Sequence, residues 1–272
     1  MQLEYRILWI EDDPDFVDSV KEDLNDFISE KGFIPIIKLV KKEELKTILD
    51  ENLRVYDLFL IDYKLSAGSY SQESGEKLIE RIRQKKFFNN IIFYSSEFEK
   101  IKSFNLPGVF VLDRGAILVE DENDFCSMIA FFLEKDMNLN TMRGIAMSEV
   151  AKYDQKIITI LKEHCPKEKL CEVTKEGVKK FNESVQKKSV NKLWKDITGS
   201  SGTVYFSSGP RSEYFFSTVK IKGEENSQLP EIYKDVLTKR NKLAHQENVD
   251  FDLVELRKQM IQIRQYFDGM NS

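Results

Sequence analysis

Over the first half of the chain, short apolar runs alternate with amphipathic stretches of helical period, and this alternation constrains the fold more than any other feature. The runs are RILWI, FIPIIKLV, YDLFLIDY, NIIFYSS and GVFVLD. The segment after the first run places Phe16, Val17, Val20, Leu24, Phe27 and Ile28 at helical spacing, and KKEELKTILDEN and GEKLIERIRQK read as further helices. A last amphipathic helix begins near Asp124. Strands separated by helices of about 10–15 residues predict an α/β domain, a doubly wound parallel sheet with helices on both faces.

In such a sheet, ligands bind beyond the carboxyl ends of the strands, near the point where strand order reverses. The first strand ends in Glu11, Asp12 and Asp13, the third in Asp62, and the fourth in Ser95 and Ser96. Carboxylates from two adjacent strand ends repel one another unless a cation lies between them. An oxygen-only set with room left for water suits Mg²⁺.

The stretches ILWIEDDP, YDLFLIDYKLS and NIIFYSSE resemble the receiver domains of bacterial response regulators, which have a flavodoxin-like fold, and set a domain at 1–137. The resemblance implies that Glu11 and Asp12 hold Mg²⁺ together with Asp62. It also makes Asp62 the phosphoacceptor, attacking a phosphohistidine on a partner histidine kinase, with Ser95 contacting the phosphoryl group and Phe110 near an aromatic switch position. The sequence departs from the family twice. Asp113 stands where the family has a lysine, with Arg114 next to it. A carboxylate there is expected to repel a phosphoryl group, so that either Arg114 takes over the contact or phosphorylation is impaired. The loop DYKLSAGSYSQESG, from Asp62 to Gly75, is longer than the family pattern and would cover the site or serve for docking. A relic metal site that no longer takes phosphate is the alternative.

After Met137 the pattern becomes helical, giving a helical-bundle domain at 138–272 and a fold of α/β plus all-α. TMRGIAMSEVAKYDQKIITILKEH carries Met142, Ile145, Ala146, Val150, Tyr153, Ile157, Ile160 and Leu161 close to one face. KEGVKKFNESVQKKSVNKLWKDI reads as a lysine-rich helix, TGSSGTVYFSSGPRS as a loop or hairpin, and LPEIYKDVLTKRNKLAH and FDLVELRKQMIQIRQYF as the last two helices. Charge divides with the pattern: residues 1–140 sum to −10 and residues 141–272 to +5. The positive half is the one suited to a polyanion, although six lysines on one helix are too few to argue for DNA.

The hexapeptide RNKLAH contains Arg240, Asn241 and His245, the last being one of two histidines in the chain. On a helix, Asn241 and His245 share a face, whereas Arg240 and His245 leave the axis about 140° apart. Small Ala244 would admit a second chain, so a site assembled across a homodimer is expected. This motif resembles that of the HEPN superfamily. The resemblance implies a metal-independent endoribonuclease that leaves 2′,3′-cyclic phosphate ends and acts in bacterial stress response or defence. In that reading His245 is general acid or base, Arg240 stabilises charge on the phosphate, and Asn241 orients the histidine or holds the phosphate. The alternative is a non-catalytic dimeric signalling adaptor, with a degenerate receiver and a helical module that binds a partner or a nucleotide.

The remaining features narrow the class. No apolar run approaches the roughly 18 residues of a membrane helix, the first residues MQLEYRILWIEDD do not read as a signal peptide, and three scattered cysteines fit a reducing cytoplasm. His164, Cys165 and Cys171 lack a fourth zinc ligand in a recognised spacing.

Overall fold

The computed structural model describes residues 3–41, 44, 47–48, 52–65, 75–117, 123–177, 187–198, 208–219, 228–245 and 248–270. The chain divides into two compact units, residues 2–136 and residues 137–272.

The first unit is built on a five-stranded, all-parallel sheet. Its strands are β1 (Glu4–Ile10), β2 (Ile34–Val40), β3 (Leu58–Asp62), β4 (Asn90–Ser95) and β5 (Val109–Asp113). They lie in the order β2-β1-β3-β4-β5. Helix α1 (Pro14–Glu30) follows β1, capped by the Asp13 side chain on the Phe16 amide and started by Pro14 at its first position. α2 (Gly75–Gln84) precedes β4, short α3 (Phe98–Ile101) follows it, and α4 (Asp124–Asp136) closes the unit. Because side chains alternate across a strand, two cores form. Leu8, Ile10, Phe59, Ile61, Ile91 and Phe93 pack with Leu78, Ile79 and Ile82 of α2. On the opposite face Trp9 and Tyr94 meet Phe16 of α1, and Phe110 meets Phe132 of α4. Most of the expected helix KKEELKTILDEN, and residues 66–74 of the long loop, lie outside the described residues.

The second unit contains α5 (Leu139–His164), α6 (Lys167–Gly177), α7 (Val190–Thr198), α8 (Ser208–Thr218), α9 (Leu229–His245) and α10 (Leu253–Gly269). α5, α8, α9 and α10 pack against one another, and α6 packs on α7 and α8. Two expectations need correction. The lysine-rich stretch is not one helix: residues 187–189 are non-helical and α7 starts at Val190. The Gly/Ser-rich stretch is not loop throughout, because α8 begins at Ser208 with Pro210 in its first turn, where a missing N–H costs no helical hydrogen bond. α5 also buries two carboxylates among its apolar residues. Glu149 binds Arg264 of α10 at 2.7 Å, and Asp154 binds fully buried Arg211 of α8 at 3.0 Å. Asp154 further accepts hydrogen bonds from Ser208 (2.6 Å) and Tyr233 (3.3 Å). This network ties α5, α8 and α9 together.

Among the described residues, no helix is long and apolar enough to cross a membrane.

Candidate carboxylate site at the switch point

The strand order reverses between β1 and β3, and the carboxyl ends of those two strands carry the acidic residues. Each of Glu11, Asp12 and Asp62 offers an oxygen, and these atoms lie within 4.8 Å of one another. Glu11 and Asp62 are buried. Strand-end geometry explains the convergence: Ile10 pairs with Ile61, so the residues that follow leave the sheet side by side. Helix α1 starts immediately afterwards, directing the Asp12 and Asp13 amides back onto Glu11 Oε1 at 3.1 Å each. Asp62 Oδ2 accepts the Lys64 amide at 2.7 Å.

The electrostatics are those of a site short of positive charge. Burial, then the neighbouring Glu11 carboxylate, push the Asp62 pKa up to about 7, partly offset by the Lys64 amide and Arg114. Burial raises Glu11 as well, against hydrogen bonds from Tyr94 and the Asp13 amide. The side chain that reaches in is Arg114, just past β5. Its Nη2 lies 2.7 Å from Asp13 Oδ2 and 3.8 Å from Glu11 Oε1, and its guanidinium stacks 4.1 Å over the Phe16 ring. Asp13 is held below the usual carboxylate range by the Phe16 amide and by Arg114.

Asp113 is the last residue of β5. Its exposed carboxylate accepts the Gly115 amide at 2.7 Å and caps a single 3₁₀ turn, Arg114–Ala116. A short polar side chain at the start of a turn satisfies the nearest free amide, and that turn carries Arg114 toward Asp13. Ser95 is fully buried at the end of β4. Its Oγ accepts the Glu97 amide at 2.9 Å, and its hydroxyl proton has no acceptor among the described residues. On the far side, Lys64 and Glu97 pair at 2.5 Å, and Lys100 pairs with the other Glu97 oxygen. Gly75 closes behind the site: a Cβ there would lie 2.4 Å from the Asp62 carbonyl oxygen and 2.7 Å from the Phe93 ring. Gly75 therefore lies against the Asp62 backbone, a close approach that only glycine permits.

The hexapeptide RNKLAH forms the end of α9. Asn241, Ala244 and His245 are exposed on the last turn of α9. Arg240 is half-buried, and its Nε is buried with no hydrogen-bond partner among the described residues. The C-terminal carbonyls of α9 are anchored by Arg143 of α5, whose Nε donates to the Leu243 oxygen at 2.6 Å. His164 is exposed, whereas Cys165 and Cys171 are buried thiols. Sequence reasoning missed Tyr94, Trp9 and the Lys64–Glu97 pair, because each acts through a partner on a different strand or loop.

No protein-family model and no curated protein matches this chain.

Proposed function

We propose that the first unit is a receiver-type phosphoryl acceptor in which Asp62 takes a phosphoryl group from a histidine kinase, with Mg²⁺ held by Glu11, Asp12 and Asp62. The carrying observation is the convergence of those three carboxylates at the sheet's switch point, with Asp62 driven to about 7 by burial and by Glu11. The donor set is all oxygen and overloaded with negative charge, which fits a hard divalent cation. When bound, Mg²⁺ supplies the positive charge that keeps Asp62 ionised and offsets the phosphoryl oxygens. An Asp62 oxygen attacks phosphorus, the P–N bond to the kinase imidazole breaks, and an acyl phosphate forms on Asp62 while the imidazole leaves carrying the bonding pair. Ser95, whose hydroxyl proton has no acceptor among the described residues, and Arg114, 3.8 Å from Glu11, are the groups assigned to the phosphoryl oxygens. Beryllofluoride with Mg²⁺ should raise the melting temperature of the parent and leave Asp62→Asn unmoved. Equal behaviour of the two proteins would defeat the reading.

The second unit is assigned as the output, a HEPN-type endoribonuclease working as a homodimer in the cytoplasm, in bacterial stress response or defence. Exposure of Asn241, Ala244 and His245 in one strip favours this over the adaptor reading, since it leaves the motif open to RNA and to a second copy. The ribose 2′-oxygen gives up its proton and attacks the adjacent phosphorus, the P–O5′ bond breaks, and the leaving 5′-oxygen takes a proton, with His245 as the acid or base in that transfer.

A further inference from the structure

We propose that Tyr94 is a positioning residue of the carboxylate site, holding Glu11 in the orientation in which it can serve a cation. The inference rests on the reading of Glu11, Asp12 and Asp62 as a cation site, and it concerns a residue two strands away from Glu11 in the sheet.

Three buried side chains, Trp9, Tyr94 and Glu11, are joined by hydrogen bonds. Trp9 Nε1 donates to the Tyr94 hydroxyl at 2.7 Å, and that hydroxyl donates to Glu11 Oε2 at 2.8 Å. An indole N–H can only donate, so the Tyr94 oxygen must accept it. The single phenolic proton is then committed to Glu11, and the chain Trp9, Tyr94, Glu11 has one direction. Glu11 Oε1 is fixed at the same time by the Asp12 and Asp13 amides. Three donors on two oxygens leave the carboxylate little freedom to rotate, and its side chain is wholly shielded from solvent. Asp12 and Asp62 each bring a carboxylate oxygen within 4.8 Å of one of its own.

Packing holds the donor itself in place. Tyr94 and Trp9 are fully buried. Both contact the Phe16 ring, with centroids at 5.9 and 6.3 Å, and Arg114 covers that ring. The hydroxyl is therefore delivered to Glu11 by a rigid aromatic cluster, as outer-shell partners of metal-binding carboxylates generally are. A phenylalanine at this position would keep the ring contacts and lose only the proton that orients Glu11.

The test is Mg²⁺ titration by calorimetry into the full-length parent, Tyr94→Phe and Trp9→Phe, with melting temperatures recorded alongside. Tyr94→Phe should weaken Mg²⁺ binding at least about 10-fold, the usual cost of removing such an outer partner. Trp9→Phe removes more buried volume yet leaves the Tyr94–Glu11 bond, and should keep close to parental affinity. Equal losses in the two variants would mean packing alone is at work and would overturn the proposal, as would parental affinity in Tyr94→Phe. In protein carrying Trp194→Phe, Trp9 emission should change with the calorimetric midpoint, a readout needing no change at the site. A silent Trp9 during measurable Mg²⁺ binding would also overturn it. Absence of Mg²⁺ binding in the parent would overturn the cation reading and this inference together.

Discussion

In the absence of divalent cation, Asp62→Asn should be more stable than the parent by roughly 4 kcal/mol at pH 8, and no more stable near pH 4. The sign follows from the direction of the shift. Asp62 titrates near 7 in the folded protein, against 3.8 for an unperturbed aspartate. Below about pH 4 both folded and unfolded chains hold the proton, and no penalty applies. Between about pH 4 and 7 the unfolded chain releases it while the folded chain retains it, so stability falls as pH rises. Above about 7 both are ionised and the full penalty persists. Asparagine removes the titration while keeping an oxygen for the Lys64 amide. Glu11, raised by the same burial, contributes in the same direction and remains in both proteins. Chemical unfolding followed by Trp9 emission in a Trp194→Phe background gives the difference at each pH. Millimolar Mg²⁺ should flatten the parent's pH slope, because a cation among the three carboxylates restores the ionised form. A parent whose stability does not fall between pH 4 and 7 would show that Asp62 titrates as an ordinary aspartate.

Cleavage of RNA by the full-length protein, without added metal, should fall at least about 100-fold in His245→Ala, the loss expected when a proton-transfer group is removed. His245 is exposed at the end of α9 and packs in no core, so this loss should come without a change in melting temperature. Arg240 calls for a gentler change, because its Nε is buried. Arg240→Lys keeps the positive charge but loses the planar fork that recognises phosphate oxygens, and should reduce cleavage while the dimer persists. A single 2′-deoxy linkage in the substrate should resist cutting, since the attacking hydroxyl is missing there. Within one chain the Arg240 and His245 side chains leave α9 on different sides, so activity should depend on protein concentration through dimer assembly. Intact RNA both with and without beryllofluoride and Mg²⁺ would assign α9 to the adaptor reading.

The sequence was most legible where local pattern and chemistry coincide. Apolar runs ending in acid or hydroxyl residues located β1, β3 and β4, and the carboxyl-end rule placed Glu11, Asp12 and Asp62 in one site before their distances were known. Alternation alone fixes a parallel sheet without fixing which strands are neighbours, and the adjacency of the first and third strands rested on the resemblance. Asp113 stood out by its place at the family's lysine position, but that its carboxylate caps its own turn at the Gly115 amide was not legible from residue type. Tyr94 gave no signal, since a strand tyrosine looks apolar until its partners, 83 and 85 residues away in sequence, are known. In the helical unit the apolar faces were clear, yet Glu149 and Asp154 were not expected to be buried. Each is matched by an arginine on another helix, and period alone does not reveal such a partner. The start of α8 was hidden because SSGPRS is composed of loop-forming residues, although Pro210 is tolerated in a first turn.

The central claim is that Asp62 accepts a phosphoryl group in a cation-assisted site. Its most direct measurement is mass spectrometry of the intact protein after incubation with Mg²⁺ and a small acyl-phosphate donor, with peptide mapping of the modified residue. The parent should gain one phosphoryl group at Asp62 that requires Mg²⁺, is released by hydroxylamine and is absent in Asp62→Asn. An unmodified parent in the presence of Mg²⁺, or the same gain in Asp62→Asn, would contradict it.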